Sequence, residues 1–140
     1  MIEYETEADR KAEEQVRLFL QSKKFFVMSN KSKYPLDWIV RDPLTNATAF
    51  AEFKRRNDDF EFMMKLGGPC VSVEKYVTAT NYAKATNLPL MFFWLLTDAL
   101  LVYITNRFPP QEILLMPDRR ERGRISPCVR ISLDDCRVYR

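Results

Sequence analysis

The sequence predicts an α/β fold in which a mixed β-sheet is flanked by helices, in the element order α-β-β-β-α-β-β. Three observations lead to it. Apolar residues recur at helical spacing in two well-separated segments, Thr6–Gln21 and Val73–Thr86. Short apolar segments bounded by turn residues lie between and after them. The chain has 140 residues, 46% hydrophobic and 29% charged, which suits one folded soluble domain rather than a disordered chain. The expected organisation is a single domain over 1–140, with a core at about 6–105 and a Pro/Arg-rich C-terminal extension at 106–140.

The first helix, Thr6–Gln21, places Ala8, Ala12, Val16, Phe19 and Leu20 on one face, with Asp9 in the early turns where negative charge is favoured. Phe25–Met28 follows as a short strand, then a polar basic loop, Ser29–Pro35. Leu36–Val40 is a second strand, with Asp37 and Ile39 on one face and Leu36, Trp38 and Val40 on the other. The turn composition of Asp42–Asn46 joins it to a third strand, Thr48–Lys54, as a hairpin. Arg55–Gly68 fits a short helix or a mobile loop equally well. The second long helix, Val73–Thr86, stops at Asn87 and Pro89. Leu88–Ile104 is the most apolar stretch; its 17 residues are short for a membrane span, and Thr97-Asp98 interrupts them. Two buried strands, Leu90–Leu96 and Ala99–Thr105, account for it better. Beyond Asn106, four prolines predict irregular chain on the outside, with edge strands at Val129–Leu133 and Cys136–Tyr139.

Composition excludes several chemistries. No histidine occurs, which removes histidine zinc sites, Ser-His-Asp catalysis and histidine nucleases. Cys70, Cys128 and Cys136 have no C-x-x-C spacing and read as reduced thiols in a reducing compartment. The acidic N-terminal stretch is unlike a secretory signal, so a cytoplasmic setting is expected. Three glycines in the whole chain argue against a nucleotide-cradling loop. With 22 basic and 19 acidic residues the net charge is +3, which permits a nucleic-acid partner without demanding one. The segment Arg107–Arg140 holds eight arginines, five acidic residues and no lysine, a bias that suits bidentate phosphate contacts as well as a solvated tail.

The informative constellation is Asp37 followed by Glu52-Phe53-Lys54. Strand periodicity puts Glu52 and Lys54 on one face, roughly 7 Å apart along the strand. Such a pair is costly to bury unless it is neutralised by partners or a metal. The hairpin can bring Asp37 beside Glu52. Two adjacent carboxylates repel and invite a hard divalent cation, Mg²⁺ or Mn²⁺. Lys54 is then placed to orient an attacking water and to stabilise charge developing on phosphate oxygens. The same residues also fit an ordinary exposed ion pair.

These residues resemble the PD-(D/E)xK nuclease superfamily, particularly its small Holliday-junction-resolvase-like and restriction-endonuclease-like members. The resemblance covers about Ala8 to Thr105. It departs from the family label in one respect: the proline is Pro35, with Leu36 between it and Asp37. The resemblance implies a restriction-endonuclease-like core and metal ligation by Asp37 and Glu52, with Lys54 catalytic. It also implies a glutamate from the first helix. On a helical wheel centred near Val16, Glu13 lies about 60° from the centre and Glu14 about 160°, so Glu13 is the candidate for the metal site. Lys75, at the start of the second long helix, looks like the family's supporting residue there, with Tyr82 two turns on. Lys31 and Lys33 before Asp37, and Arg55 and Arg56 after Lys54, are candidate DNA contacts.

The expected activity is metal-dependent endonucleolytic hydrolysis of DNA, using Mg²⁺ with Mn²⁺ as a substitute, directed at branched or junction DNA. An exonuclease or repair nickase would use the same site, and a non-catalytic nucleic-acid-binding or assembly protein would use the same scaffold. RNA stays open as a substrate. A chain this small leaves no room for a separate recognition domain, which favours structure recognition or a protein partner that directs cleavage. Junction cleavage implies a homodimer, for which the apolar tail and the FEFMMKLGG segment are candidate interfaces. No membrane partner is expected, and the features suit a phage or mobile element in a bacterial or infected host cell.

Overall fold

A computed structural model describes residues 7–22, 24–29, 38–46, 48–107, 111–117, 123 and 125–140. The elements in chain order are α1 (Glu7–Ser22), β1 (Phe26–Ser29), β2 (Trp38–Arg41), β3 (Thr48–Arg55), α2 (Phe60–Leu66), β4 (Cys70–Ser72), α3 (Val73–Thr86), β5 (Leu90–Leu95), β6 (Leu100–Thr105), β7 (Glu112–Pro117), β8 (Ile125–Arg130) and β9 (Arg137–Tyr139). Six strands form one sheet in the order β1-β2-β3-β5-β6-β9, and β4-β8-β7 form a smaller one.

The main sheet is mixed. β3 and β5 run parallel, with Glu52 opposite Phe92 and Lys54 opposite Trp94; its other pairings are antiparallel. Parallel neighbours need a crossover, and α3 lies within the connection from β3 to β5. Strand periodicity divides the core in two. Val40, Ala49, Ala51, Phe53, Met91, Phe93, Leu100 and Val102 join Leu20 of α1 on one face. Leu90, Phe92, Trp94, Leu101 and Tyr103 join Ala79 and Ala83 of α3 on the other. β5 is buried on both faces, which is why its sequence LMFFWL is apolar without alternation. The turn between β5 and β6 closes through Leu96 N–H on the Ala99 carbonyl. No helix among the described residues is long and apolar enough to cross a membrane.

The ambiguous Arg55–Gly68 segment contains a helix, and its ends explain why. Asp59 caps α2, accepting from Phe62 N–H at 2.8 Å. Gly67, at φ 90°, ends it in the left-handed conformation and donates back to Met63 and Met64. Gly68 matters for a different reason. A Cβ there would stand 1.9 Å from the Ile131 carbonyl oxygen, because Ile131 and Leu133 hydrogen-bond to Pro69 and Gly67.

The C-terminal segment is more regular than its prolines suggest. β7 and β8 form a hairpin that docks on β4, and β9 completes the main sheet beside β6. The prolines are accommodated by position. Pro117 ends β7, and Pro127 lies just outside the stretch of β8 that pairs with β4, where a missing N–H is tolerated. Along the hairpin, Val129 is buried against the core that contains Val71. Ile113, Leu115 and Ile125, at cross-strand positions on the same face, are exposed.

A buried ion pair joins distant parts of the main sheet. Asp42, just after β2, is fully buried. It meets the Arg137 guanidinium of β9 through Nη1–Oδ1 at 2.6 Å and Nη2–Oδ2 at 2.9 Å. β2 and β9 are four places apart in strand order, so the sheet curls toward its α1 face to bring them together. Phe25 packs edge-on against both Phe93 and Tyr139, at 6.1 Å each.

Candidate active site

β3 presents two charged residues on one face because it alternates. Ala49, Ala51 and Phe53 point into the α1-side core, and Glu52 and Lys54 project from the opposite face, toward α3. Glu52 is buried there at 1% exposure. Ser72 fixes the start of α3 by accepting from Lys75 N–H at 3.3 Å. Lys75 therefore stands in the first turn, and its Nζ donates to Glu52 Oε1 at 2.6 Å. Lys54 Nζ approaches the same oxygen at 3.5 Å. Glu52 Oε2 is buried with no hydrogen-bond partner.

This arrangement is asymmetric for a carboxylate. An ionised carboxyl offers two acceptor oxygens, and burial penalises either one left unsatisfied. Here, among the described residues, two ammonium groups converge on one oxygen and the other accepts no hydrogen bond. The apolar cross-strand row that continues from Glu52 through Phe92 to Tyr103 offers no counter-charge.

Of the residues singled out in the sequence, Glu52, Lys54 and Lys75 come together. Asp37, Lys31 and Lys33 lie outside the described residues, as does the side chain of Glu13, whose backbone belongs to α1. The described register of β2 on β3 ends with Trp38 opposite Ala51, next in sequence to Asp37 and to Glu52 respectively. Arg55 is exposed at the end of β3. Arg56 is half-buried: its Nη2 donates to the Cys70 carbonyl at 3.3 Å and its Nη1 to the Arg55 carbonyl at 3.2 Å. That guanidinium ties β3 to β4 whatever else it touches. Tyr82 packs at the edge of the α3-side core.

The chain matches, over residues 2–136, the family described as "Phage putative PDDEXK endonuclease". It belongs to that family. Among solved structures, this PD-(D/E)xK protein is similar to Hjc, a Holliday junction resolvase from the archaeal hyperthermophile Archaeoglobus fulgidus. The TM-score is 0.52 with 12% identity, covering 86% of this chain and 88% of that one, a likeness of fold. No curated protein matches the chain. The restriction-endonuclease-like α/β architecture and the membership in the nuclease superfamily, both expected from Asp37, Glu52 and Lys54, stand.

Family membership implies metal-dependent catalysis in general, and one feature of the site fits a cation. The unpartnered Glu52 Oε2 is a buried, hard oxygen donor of the kind that Mg²⁺ and Mn²⁺ prefer. Among the described residues no group of three Asp, Glu, Cys or His side chains comes together to hold a metal. A complete ligand set therefore needs donors beyond those residues.

The sequence did not reveal Asp42 and Arg137 as partners. Asp42 read as a turn residue and Arg137 as part of an arginine-rich tail. The only local signal was the Asp-Pro-Leu-Thr turn, in which the Thr45 hydroxyl donates to Asp42 Oδ2 at 2.7 Å.

Proposed function

We propose that the protein is a Mg²⁺-dependent endonuclease that hydrolyses DNA phosphodiester bonds and prefers branched substrates. The observation that carries this reading is the half-satisfied carboxylate of Glu52, buried beneath two lysines on a PD-(D/E)xK scaffold. Glu52 and Asp37 hold the cation, with Glu13 contributing from α1. When bound, the cation supplies Lewis-acid stabilisation of charge developing on the phosphate oxygens. Lys54, fixed on the same strand face as Glu52, orients the attacking water and stabilises that charge. Lys75 contacts the scissile phosphate. Arg55, Lys31 and Lys33 hold the flanking phosphates, and Arg56 adds positive charge from its position against β4.

The preference for branched DNA draws on the fold likeness to a Holliday junction resolvase. Paired cuts in a junction call for two active sites related by symmetry, so we assign the working form to a homodimer in which each chain acts as one nuclease domain. The exposed Ile113, Leu115 and Ile125 on the β7–β8 hairpin are suited to that contact. The setting that matches this activity is the cytoplasm of a bacterial or phage-infected cell.

The test is a cleavage panel of supercoiled plasmid, linear duplex, single strand, flap and four-way junction. Each substrate is incubated with Mg²⁺, Mn²⁺ or EDTA, beside Glu52→Ala and Lys54→Ala proteins. Metal-dependent cutting strongest on the junction, and lost in both variants, is the expected result. DNA binding without cutting on every substrate, unchanged by either substitution, would refute the enzyme and leave a binding scaffold.

A further inference from the structure

Two lysines share one oxygen of Glu52, and they are not equivalent. Lys54 rises from a central strand, with its side chain only 22% exposed, and stands at 3.5 Å. Lys75 rises from the first turn of α3, with its side chain 44% exposed, and makes the shorter contact at 2.6 Å. The lysine that makes the closer contact is thus also the more exposed of the two. A long lysine stem can swing its head toward water at little cost, and the more exposed Lys75 has the shorter way to go.

A divalent cation on the Glu52 carboxylate would lie within about 2.1 Å of an oxygen. Its double positive charge would repel an ammonium already at contact distance, and Glu52 would no longer need that ammonium for neutralisation. Lys75 and the cation therefore compete for one carboxylate.

We infer that Lys75 is a stand-in for the cation on Glu52, and that cation binding displaces its ammonium and makes it available to a substrate phosphate. This rests on the reading of Glu52 as a cation ligand and adds a regulatory consequence. Without a cation, Lys75 keeps the buried carboxylate neutralised and lowers the affinity of the site for metal. Once the cation binds, the freed Lys75 strengthens DNA binding. By linkage, DNA that engages Lys75 must in turn tighten cation binding by the same factor. Cation and DNA become cooperative ligands although Lys75 itself is not a metal ligand.

The test uses the full chain without DNA and Mn²⁺ alone as the probe, with free Mn²⁺ followed by electron paramagnetic resonance. Lys75→Met and Lys75→Gln are expected to bind Mn²⁺ about fivefold more tightly than the unsubstituted protein, because the competitor is gone. Glu52→Gln should lose that affinity. A merely structural role for Lys75 predicts weaker binding, the opposite sign. A second measurement needs no variant: acylation of Lys75 by an amine reagent, read by mass spectrometry, should accelerate when Mn²⁺ is added. Unchanged or weaker Mn²⁺ affinity in the Lys75 variants, or an acylation rate indifferent to Mn²⁺, overturns the stand-in. Full Mn²⁺ affinity in Glu52→Gln overturns instead the underlying assignment of Glu52 as a ligand, so the two failures are told apart.

Discussion

Asp42 and Glu52 are two buried carboxylates ten residues apart in sequence, and the protein treats them in opposite ways. Each oxygen of Asp42 has a partner: Oδ1 accepts from Arg137 Nη1, and Oδ2 accepts from Arg137 Nη2 and from the backbone and hydroxyl of Thr45. Among the described residues Glu52 has two cationic contacts, both on Oε1, and its Oε2 has no hydrogen-bond partner. The first is a closed network that joins β9 to the end of β2. The second has acceptor capacity to spare. A buried carboxylate satisfied on every side serves the fold, and one left open in a family of nucleases is available to a ligand.

The largest effect should come from opening the closed pair. Arg137→Ala leaves the Asp42 charge buried without its guanidinium, and about 3–5 kcal/mol of stability should be lost, read from urea denaturation. Cleavage per folded molecule should be unchanged. Glu52→Gln should do the reverse, because it removes a buried charge and leaves two ammonium groups on side chains that are each partly exposed. It should cost less than about 1 kcal/mol of stability and lower cleavage by about 10²-fold or more. Comparable stability losses in the two variants would erase the contrast.

A pH series sharpens the same contrast at a smaller scale. Burial by itself would raise the Asp42 pKa, but the Arg137 hydrogen bonds, the Thr45 hydroxyl and the guanidinium charge outweigh it and hold the pKa at about 2, below the ordinary 3.8. The folded-state pKa is depressed, so the contribution is fully present above the unfolded value and disappears as pH falls through the folded one. On the order of 2 kcal/mol of stability should therefore be lost between roughly pH 4 and pH 2 on account of Asp42. Asp42→Asn should remove that part of the pH dependence when denaturation midpoints are compared across the range.

How much of this was legible in the sequence follows from the range of each interaction. The two long helices and the strands β1, β2, β3, β5 and β6 could be read because periodicity and caps are local, and β5 declared itself by an apolar run too short for a membrane. The α2 segment stayed open between helix and loop, and β4 was not read, since its three residues become a strand only by pairing with the distant β8. Glu52 and Lys54 could be paired because a strand repeats every two residues. The approach of Lys75 could not be derived from spacing, since it depends on where α3 docks; the family resemblance supplied it. The hairpin of β7 and β8 was hidden by prolines whose harmlessness depends on which neighbour each strand position faces. The Asp42–Arg137 pair was hidden more deeply still. It joins residues 95 positions apart across a sheet whose curl no local pattern encodes.

The smallest expected effect tests how complete the closed network must be. Thr45→Val keeps the β-branched shape and the backbone N–H that donates to Asp42 Oδ2 at 3.2 Å, and it removes only the hydroxyl at 2.7 Å. A hydrogen bond to a charged group is worth about 1.5–3 kcal/mol. Thr45 is exposed, so water can take part of the hydroxyl's place, and a loss of about 1 kcal/mol is the reasoned outcome. Losing one of the groups that depress the Asp42 pKa should also raise it toward its ordinary value, moving the acid limb of the stability curve to higher pH. A loss near that of Arg137→Ala would mean that the Thr45 hydroxyl, rather than the guanidinium, holds the turn in place. Asp42 would then be a turn residue that Arg137 merely neutralises, and the closed network would be local after all.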